Sequence, residues 1–329
     1  MIEQLLTAAL ETLHSGRTPV LISIVRSSGS TPRKIGACML ADHNGLLCGT
    51  IGGGLLEHRC LQLAAAAPAV PRCEQFVLDN RQAGSLGMVC GGTADVLFTP
   101  LTDPLPLTQL LQLHHSGTDA CLALPLHGGA PFCRQDSVLP DRPVLAFLCG
   151  QECLLLPLRQ SERVYLFGGG HVSCALAELL HRLDFRCLVV DDRTAFCSPD
   201  RFPHAEHTVT TSYEQLDQVL TGPLAPTDSD ALCIMTRGHE GDTHAIRFAL
   251  RTPASYIGLM GSRRKRDTLF ARLKEEGFPQ ASSRIITPIG LAIGAETPEE
   301  IAVSIAAQLI AWRASEIPSK DIFSAFEKK

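Results

Sequence analysis

The sequence predicts an α/β protein: a doubly wound parallel sheet in the carboxy-terminal half and a mixed α/β domain in the amino-terminal half. Three observations carry this. Apolar runs at 164–167, 187–190, 231–235 and 256–260 have the length and composition of buried strands. After the first of them the pattern changes to apolar residues three and four apart, Val172, Leu176, Leu179, Leu180 and Leu183, which is a helix lying on a sheet. In the first half, His43-Asn44-Gly45 is a hairpin turn signal between short apolar runs, and 93–98 alternates as a strand should. The expected organisation is an amino-terminal domain over 1–100, a connecting region over 101–161, a second domain over 162–314 and a tail over 315–329.

The second domain is organised around its first strand, turn, helix and strand. Gly168 allows the tight turn, and Gly170 lets a ligand phosphate approach backbone N–H groups at a helix amino end, where the helix dipole favours an anion. The helix starts at His171 and leads to the strand 187–190, which is closed by Asp191 and Asp192, where a ribose hydroxyl would be read. Ser173 stands at the third glycine position and is small enough for close packing of helix on strand. Together these make a Rossmann-type unit. Arg193 could accept a 2′-phosphate or pair with Asp192.

At 329 residues the chain has room for two domains with large cores. A net charge of -5 without long basic runs argues against a nucleic-acid partner, since phosphate backbones are bound by clustered Lys and Arg. The short cluster Arg263-Arg264-Lys265-Arg266 reads as a helix's first turn. No apolar stretch reaches the roughly 18 residues of a membrane span, and the start Met1-Ile2-Glu3-Gln4 lacks the basic residues of a signal peptide. A cytoplasmic protein is expected. Of the 13 cysteines, those at 38, 48, 121, 149, 187 and 233 sit singly in apolar runs, with no CxxC, as small core residues in a reducing compartment would. Cys60 and Cys90 stand apart.

Taken in order, 2–13 reads as an amphipathic helix stopped at Gly16, and 19–25 as a buried strand. Ser27 to Arg33 follows, a loop of hydroxyls and glycine ending in a cation. Ser30, Thr31 and Arg33 there could bind an oxyanion, although a surface turn also favours Ser, Gly and Pro. Strands at 37–41 and 46–50 lead into Gly52, Gly53 and Gly54, which feed a helix over 55–66 and form a second phosphate-type cradle. On that helix Glu57 and Cys60 are three apart and share a face. Glu57 is otherwise an acid of the first turn, and Cys60 a core filler. After a strand at 74–78, Cys90 lies between a short apolar run and two glycines, which opens a thiol to a ligand or partner. A strand at 93–98, prolines at 100, 104 and 106, a helix at 107–115 and strands at 120–126 and 144–148 complete the first half.

In the second domain a helix is expected at 213–220, and the strand 231–235 runs into the loop 236–242 at its carboxyl end, the end that faces the ligand crevice of an open parallel sheet. His239, Asp242 and His244 could ligate a metal there, or be a cap and two surface histidines. Gly261-Ser262 is a helix cap. A rigid loop over 287–296 precedes Thr297-Pro298-Glu299-Glu300, a capping box that starts a helix to about Trp312.

These segments resemble a known family. Ser28-Gly-Ser-Thr-Pro-Arg33, Gly49-Thr-Ile-Gly-Gly-Gly-Leu-Leu-Glu57, Cys90-Gly-Gly92, Gly168-Gly-Gly-His-Val172, Asp191-Asp-Arg193, Tyr256-Ile-Gly-Leu-Met-Gly-Ser-Arg-Arg-Lys-Arg266 and Pro288-Ile-Gly-Leu-Ala-Ile-Gly-Ala-Glu-Thr-Pro-Glu-Glu-Ile-Ala302 look like the XdhC/CoxI family of accessory proteins for molybdenum hydroxylases. The likeness runs from about residue 10 to about residue 312, and 100–160 adds nothing to it.

The resemblance implies a cytoplasmic maturation factor that binds the molybdenum cofactor, supports its sulfuration with a cysteine desulfurase and inserts it into a xanthine dehydrogenase-type apo-hydroxylase. A pterin dithiolene bearing a phosphate needs an anion cradle and a soft ligand for molybdenum. Ser30, Thr31, Arg33, Gly52, Gly53, Gly54 and Glu57 are the cradle candidates, and Cys60 and Cys90 the soft ligands. Gly168, Gly170, His171, Asp191, Asp192 and His239 mark the second-domain site, which could hold NAD(P), another nucleotide or part of the cofactor. No nucleophile with a nearby base is evident, which favours a chaperone over a catalyst. The competing class is an NAD(P)-dependent oxidoreductase with His239 or His171 as proton donor. Apolar helix faces fit a homodimer.

Overall fold

The computed structural model describes residues 2–29, 33–66, 68–78, 92–136, 139–261 and 263–314, the side chains of 263–268 excepted. They fold as two units, 1–160 and 161–329.

The first unit begins with helix α1 (Ile2–His14), which buries Leu5, Leu6 and Ala9 and ends at Gly16, whose φ of 77° suits glycine. Strand β1 (Val20–Gly29) pairs with β2 (Cys38–Asp42), and Gly45, at φ 123°, turns β2 into β3 (Gly45–Gly49). Helix α2 (Gly54–Ala65) follows, then β4 (Arg72–Val77) and β5 (Gly92–Pro100), giving an antiparallel sheet of order β3-β2-β1-β5-β4. Both its faces are covered. Val20, Ile22, Ile24, Met39 and Phe98 pack with Leu56 and Cys60 of α2, whereas Leu21, Leu40 and Leu97 pack with α1.

The stretch expected as a connecting region, the remainder of the first domain plus linker, forms a layer of this unit. Helix α3 (Leu105–His115) and strands β6 (Ala120–Pro125), β7 (Phe132–Arg134), β8 (Val144–Leu148) and β9 (Gln151–Leu158) build a second antiparallel sheet of order β7-β6-β9-β8. Leu122, Leu124, Leu154 and Leu156 of that sheet share one core with Leu5, Leu6 and Leu107. The segment is bound by nonlocal packing, which its prolines do not reveal.

The second unit is a six-stranded sheet whose strands all run parallel. It comprises β10 (Arg163–Phe167), α4 (His171–Arg182), β11 (Arg186–Asp191), β12 (His207–Thr210), α5 (Leu216–Val219), β13 (Ala231–Ile234), α6 (His239–Arg251), β14 (Tyr256–Leu259), α7 (Arg263–Glu275), α8 (Ala281–Arg284), β15 (Ile285–Ile286) and α9 (Pro298–Ala314). The strand order β12-β11-β10-β13-β14-β15 is third, second, first, fourth, fifth, sixth of the unit, the order of dinucleotide-binding sheets. Alternate residues face opposite ways. Val164 and Leu166 pack under α4 and α9 with Leu176, Leu180, Ile305 and Leu309, while Tyr165 and Phe167 pack against Ala245, Phe248 and Ala249 of α6. The capping box is present: Thr297 Oγ1 accepts from Glu300 N at 3.2 Å, and Glu300 Oε2 accepts from Thr297 N at 3.0 Å. The helix expected at 213–220 is shorter, a 3-10 turn at Tyr213–Gln215 followed by α5. His239 to Asp242, expected in a loop, form the first turn of α6.

Candidate functional site

In the second unit the chain order reverses between β10 and β13, and the turn after β10 lies beside the end of β13. Gly168 has φ 106°, and a Cβ there would stand 2.3 Å from Met235 O and 3.0 Å from Thr236 Cα. Gly169 is equally confined, since its Cβ would meet Phe196 O at 1.8 Å. Gly170, which caps α4 with extended backbone, has open space above it. Two glycines of this turn are required by packing, and the third leaves room for a ligand at a helix amino end. Ser173 is buried and donates to Gly168 O, so the residue at the third glycine position ties helix to turn.

The acids after β11 divide between two tasks. Asp191 is 1 % exposed and accepts from Gly169 N at 2.7 Å, Arg193 N at 2.9 Å, and Arg193 Nε and Nη2 at 2.8 and 2.9 Å. Burial raises its carboxyl, but the Arg193 guanidinium and the N–H groups of Gly169 and Arg193 outweigh that and hold it below the ordinary value. With its oxygens engaged by these donors, Asp191 sets the turn and does not face a ribose, and Arg193 lies 3.7 Å over the Phe196 ring. Asp192 faces outward, 3.2 Å from Arg237 Nη2.

A crevice of about 390 Å³ opens at the carboxyl ends of the strands, lined by Asp192, Tyr213, Thr236, Arg237, His239 and His244, with Glu214 and Glu240 at its wall. Asp242, weighed as a metal ligand, turns inward instead. Its Oδ1 accepts from Thr236 Oγ1 at 2.7 Å and from Thr236 N at 3.2 Å, and burial raises its carboxyl against the pull of those bonds. His171 lies elsewhere, in a second cavity of about 420 Å³ between α4, the β11–β12 loop and the start of α9. That cavity is also lined by Cys174, Arg201, His204 and Glu299, and Arg201 Nε donates to Gly169 O at 3.1 Å. The two histidines weighed as proton donors are therefore not part of one site. Nothing in the sequence marks Glu214, Arg201 or His204; Glu240 and His244 carry the signal of four-residue spacing on one helix.

In the first unit the glycine run is shaped as expected, with φ of 128°, 80° and 66° at Gly52, Gly53 and Gly54 before α2. Its donors, however, hold the chain's own carboxylate. Glu57 Oε1 accepts from Ile51 N at 2.9 Å, Gly52 N at 3.2 Å, Gly53 N at 2.8 Å and from the Thr50 hydroxyl. Burial raises the Glu57 carboxyl, and the Thr50 hydroxyl with the three N–H groups overcomes it, leaving the group lowered. Glu57 is thus the anion of this cradle, a correction to the phosphate reading of Gly52 to Gly54. Cys60 is fully buried among Ile22, Met39 and Leu56, and burial beside the Glu57 charge pushes its thiol up to about 12. Cys60 as placed is a core residue closed off from solvent. Arg33 is exposed. Ser30, Thr31, Ser262, Cys90 and the tail 315–329 lie outside the described residues.

The parallel order, the switch point and the glycine turn define a Rossmann-type domain joined to a mixed α/β domain. The particular family follows from comparison: the XdhC Rossmann domain matches residues 164–309, and the XdhC and CoxI family matches residues 12–77. The chain belongs to the XdhC/CoxI family. It is 28% identical over 324 residues to a Bacillus subtilis (strain 168) protein named as a probable subunit of xanthine dehydrogenase, covering 92% of this chain and 95% of that one. It is 22% identical over 316 residues to the Escherichia coli (strain K12) molybdenum cofactor insertion chaperone PaoD, covering 94% and 88%. A solved structure of a protein named as a xanthine dehydrogenase from Bacillus halodurans shares the fold, with a TM-score of 0.75 and 24% identity over 98% of this chain and 99% of that one. Among the described residues no helix is long and apolar enough to cross a membrane.

Proposed function

We propose that this protein binds the molybdenum cofactor by its phosphate-bearing end in the crevice of the second unit and inserts it into a xanthine dehydrogenase-type hydroxylase. The observation that carries the reading is the open space over Gly170 at the amino end of α4, in the turn whose Gly168 abuts Met235 and Thr236 at the carboxyl end of β13, where N–H groups can meet a phosphate. The name of the Escherichia coli relative and the family membership support the choice of cofactor. Bound there, the cofactor brings molybdenum and a dithiolene. The chain's own part is to orient it: Gly170 N–H at the phosphate, and Arg237, held by Asp192, as a cation at the rim of the crevice. Cys90 is the remaining soft ligand of the two first considered, and a cysteine desulfurase is the proposed sulfur source. Binding without an attached catalytic step suits a carrier that must also release.

The test is mass spectrometry of what denaturation releases from the full chain, purified from cells that make the cofactor. A pterin carrying phosphate is the expected result. A chain that emerges empty and takes up no cofactor afterwards would overturn the proposal.

A further inference from the structure

The crevice proposed to receive a phosphate is lined by acids. Asp192 is balanced by Arg237, but Glu214 and Glu240 add two further carboxylates to the same wall. A phosphate entering alone would meet like charge, which costs binding free energy in a partly desolvated site. A bound cation reverses the sign of such a wall.

We propose that Glu214, Glu240 and His244 bind a divalent metal cation at the rim of the crevice, and that this cation takes up a phosphate oxygen of the ligand. The first half stands on the side chains alone, and the second rests on the function proposed above. Glu240 and His244 lie four apart in the first turns of α6, so they share a face, and Glu214 comes from the 3-10 turn after β12. One donor atom from each lies within 4.8 Å of the other two. Glu214 Oε1 and His244 Nε2 are 3.8 Å apart, too far for a hydrogen bond. Two ligands each about 2.1 Å from one tetrahedral ion lie about 3.4 Å apart, so a shift of a few tenths of an ångström in the exposed Glu214 side chain brings both onto one ion. Two carboxylates and an imidazole suit Mn²⁺ or Zn²⁺ over the harder Ca²⁺ and Mg²⁺. Three protein ligands beside a cavity leave coordination positions facing the space where a ligand enters, as in sites that exchange ligands. The Glu214 side chain is 68 % exposed and that of His244 28 %, so an ion can reach both from solvent.

The test uses the full chain stripped with a chelator and titrated with Mn²⁺, followed by the spin resonance of free Mn²⁺. One Mn²⁺ per chain is expected, with electron spin-echo modulation from an imidazole nitrogen. His244→Ala should remove the modulation, and Glu240→Gln should weaken uptake on the order of tenfold or more. Glu214→Gln, on an exposed turn, serves as a variant that folds, with circular dichroism to check all three. ADP is then added as a phosphate-bearing probe, and Mn²⁺ should tighten its binding on the order of tenfold. No uptake of Mn²⁺ or Zn²⁺, or uptake indifferent to all three substitutions, overturns the cation site. Uptake at these residues without any ADP binding keeps the cation site and sinks the crevice as a phosphate site. ADP held equally with and without Mn²⁺ keeps the crevice reading and overturns the bridging role.

Discussion

Glu57 Oε1 accepts a hydrogen bond from Gly53 N at 2.8 Å, so an acid in the first turn of α2 closes the glycine loop that leads into that helix. The same oxygen holds Ile51 N and Gly52 N. Replacing Glu57 by Ala leaves these donors without their anion in a half-buried loop and should destabilise the first unit by about 1 kcal/mol, at the low end for charged hydrogen bonds because water reaches the group. The folded carboxyl lies below its ordinary value of 4.5, so its contribution is present above that pH and is lost as pH falls through the lowered value. Urea unfolding of both proteins at pH 7 and pH 3 checks this. A difference that grows on acidification would contradict it.

The glycine turn after β10 separates packing from binding at adjacent positions. Gly169→Ala places a Cβ 1.8 Å from Phe196 O and should cost about 2–4 kcal/mol or prevent folding. Gly170→Ala meets nothing within 4 Å and should unfold at nearly the wild-type denaturant midpoint. Gly170→Asp puts a negative charge at the amino end of α4, where the fold tolerates it and a phosphate does not. Its cofactor content should fall at least on the order of tenfold, a change of about 1.4 kcal/mol. Equal pterin release from Gly170→Asp and wild type would place the phosphate elsewhere.

How much of this is legible in sequence depends on how local the cause is. The parallel strands show as apolar runs because both faces are buried, and the capping box at Thr297 and Glu300 is contained in four residues. The sheet of β6 to β9 is only half visible. Pro157 interrupts the apolar pattern of β9, yet pairs with Cys121 more than thirty residues away, and no local signal encodes that register. The Gly52–Gly54 run is legible as an anion cradle in shape, but which anion fills it depends on the rotamer of Glu57, which composition does not fix. The crevice acids Glu214 and Glu240 come from separate segments joined only by the fold.

Asp191 offers a second pH test with a sharper contrast, because it is buried whereas Glu57 is not fully so. Asp191→Asn removes the charge that Arg193 pairs with, while keeping the shape, and should cost about 2–3 kcal/mol at pH 7. The folded carboxyl is lowered from 3.8, so the wild-type advantage is complete above that value and shrinks as pH falls through the lowered one. The gap between the two unfolding midpoints should therefore narrow from pH 5 to pH 3. A constant gap would mean that geometry alone, not charge, is lost.

The thiols should divide by burial. Cys60, fully buried with its thiol pushed up to about 12, should resist iodoacetamide in the native protein, whereas Cys149 is exposed and should react. Both should react in urea. Peptide mapping by mass spectrometry reads this directly, and native labelling of Cys60 would restore it as a ligand candidate.

The loop at 287–294 is fixed to α9 by two buried side chains, Gln308 and Ser304, and the part of Gln308 can be resolved with a double-mutant cycle. Gln308 Oε1 accepts from Tyr256 Oη at 2.6 Å and from Gly290 N at 2.8 Å, and Ser304 Oγ donates to Leu291 O at 2.7 Å. Gly290, at φ 95°, has no room for a Cβ, which would lie 2.3 Å from Ser304 Oγ. Tyr256 and Gln308 are 0 % and 2 % exposed, so water cannot replace a lost partner. Tyr256→Phe leaves Gln308 bonded to Gly290 and should cost about 1 kcal/mol, while Gln308→Leu strands both the phenol and the Gly290 N–H and should cost about 2–3 kcal/mol. In the double variant the phenol is gone, so the penalty for stranding it disappears. Its cost should fall below the sum of the two by on the order of 1 kcal/mol. Additive costs in urea unfolding would show that the two side chains do not stabilise the loop as one unit.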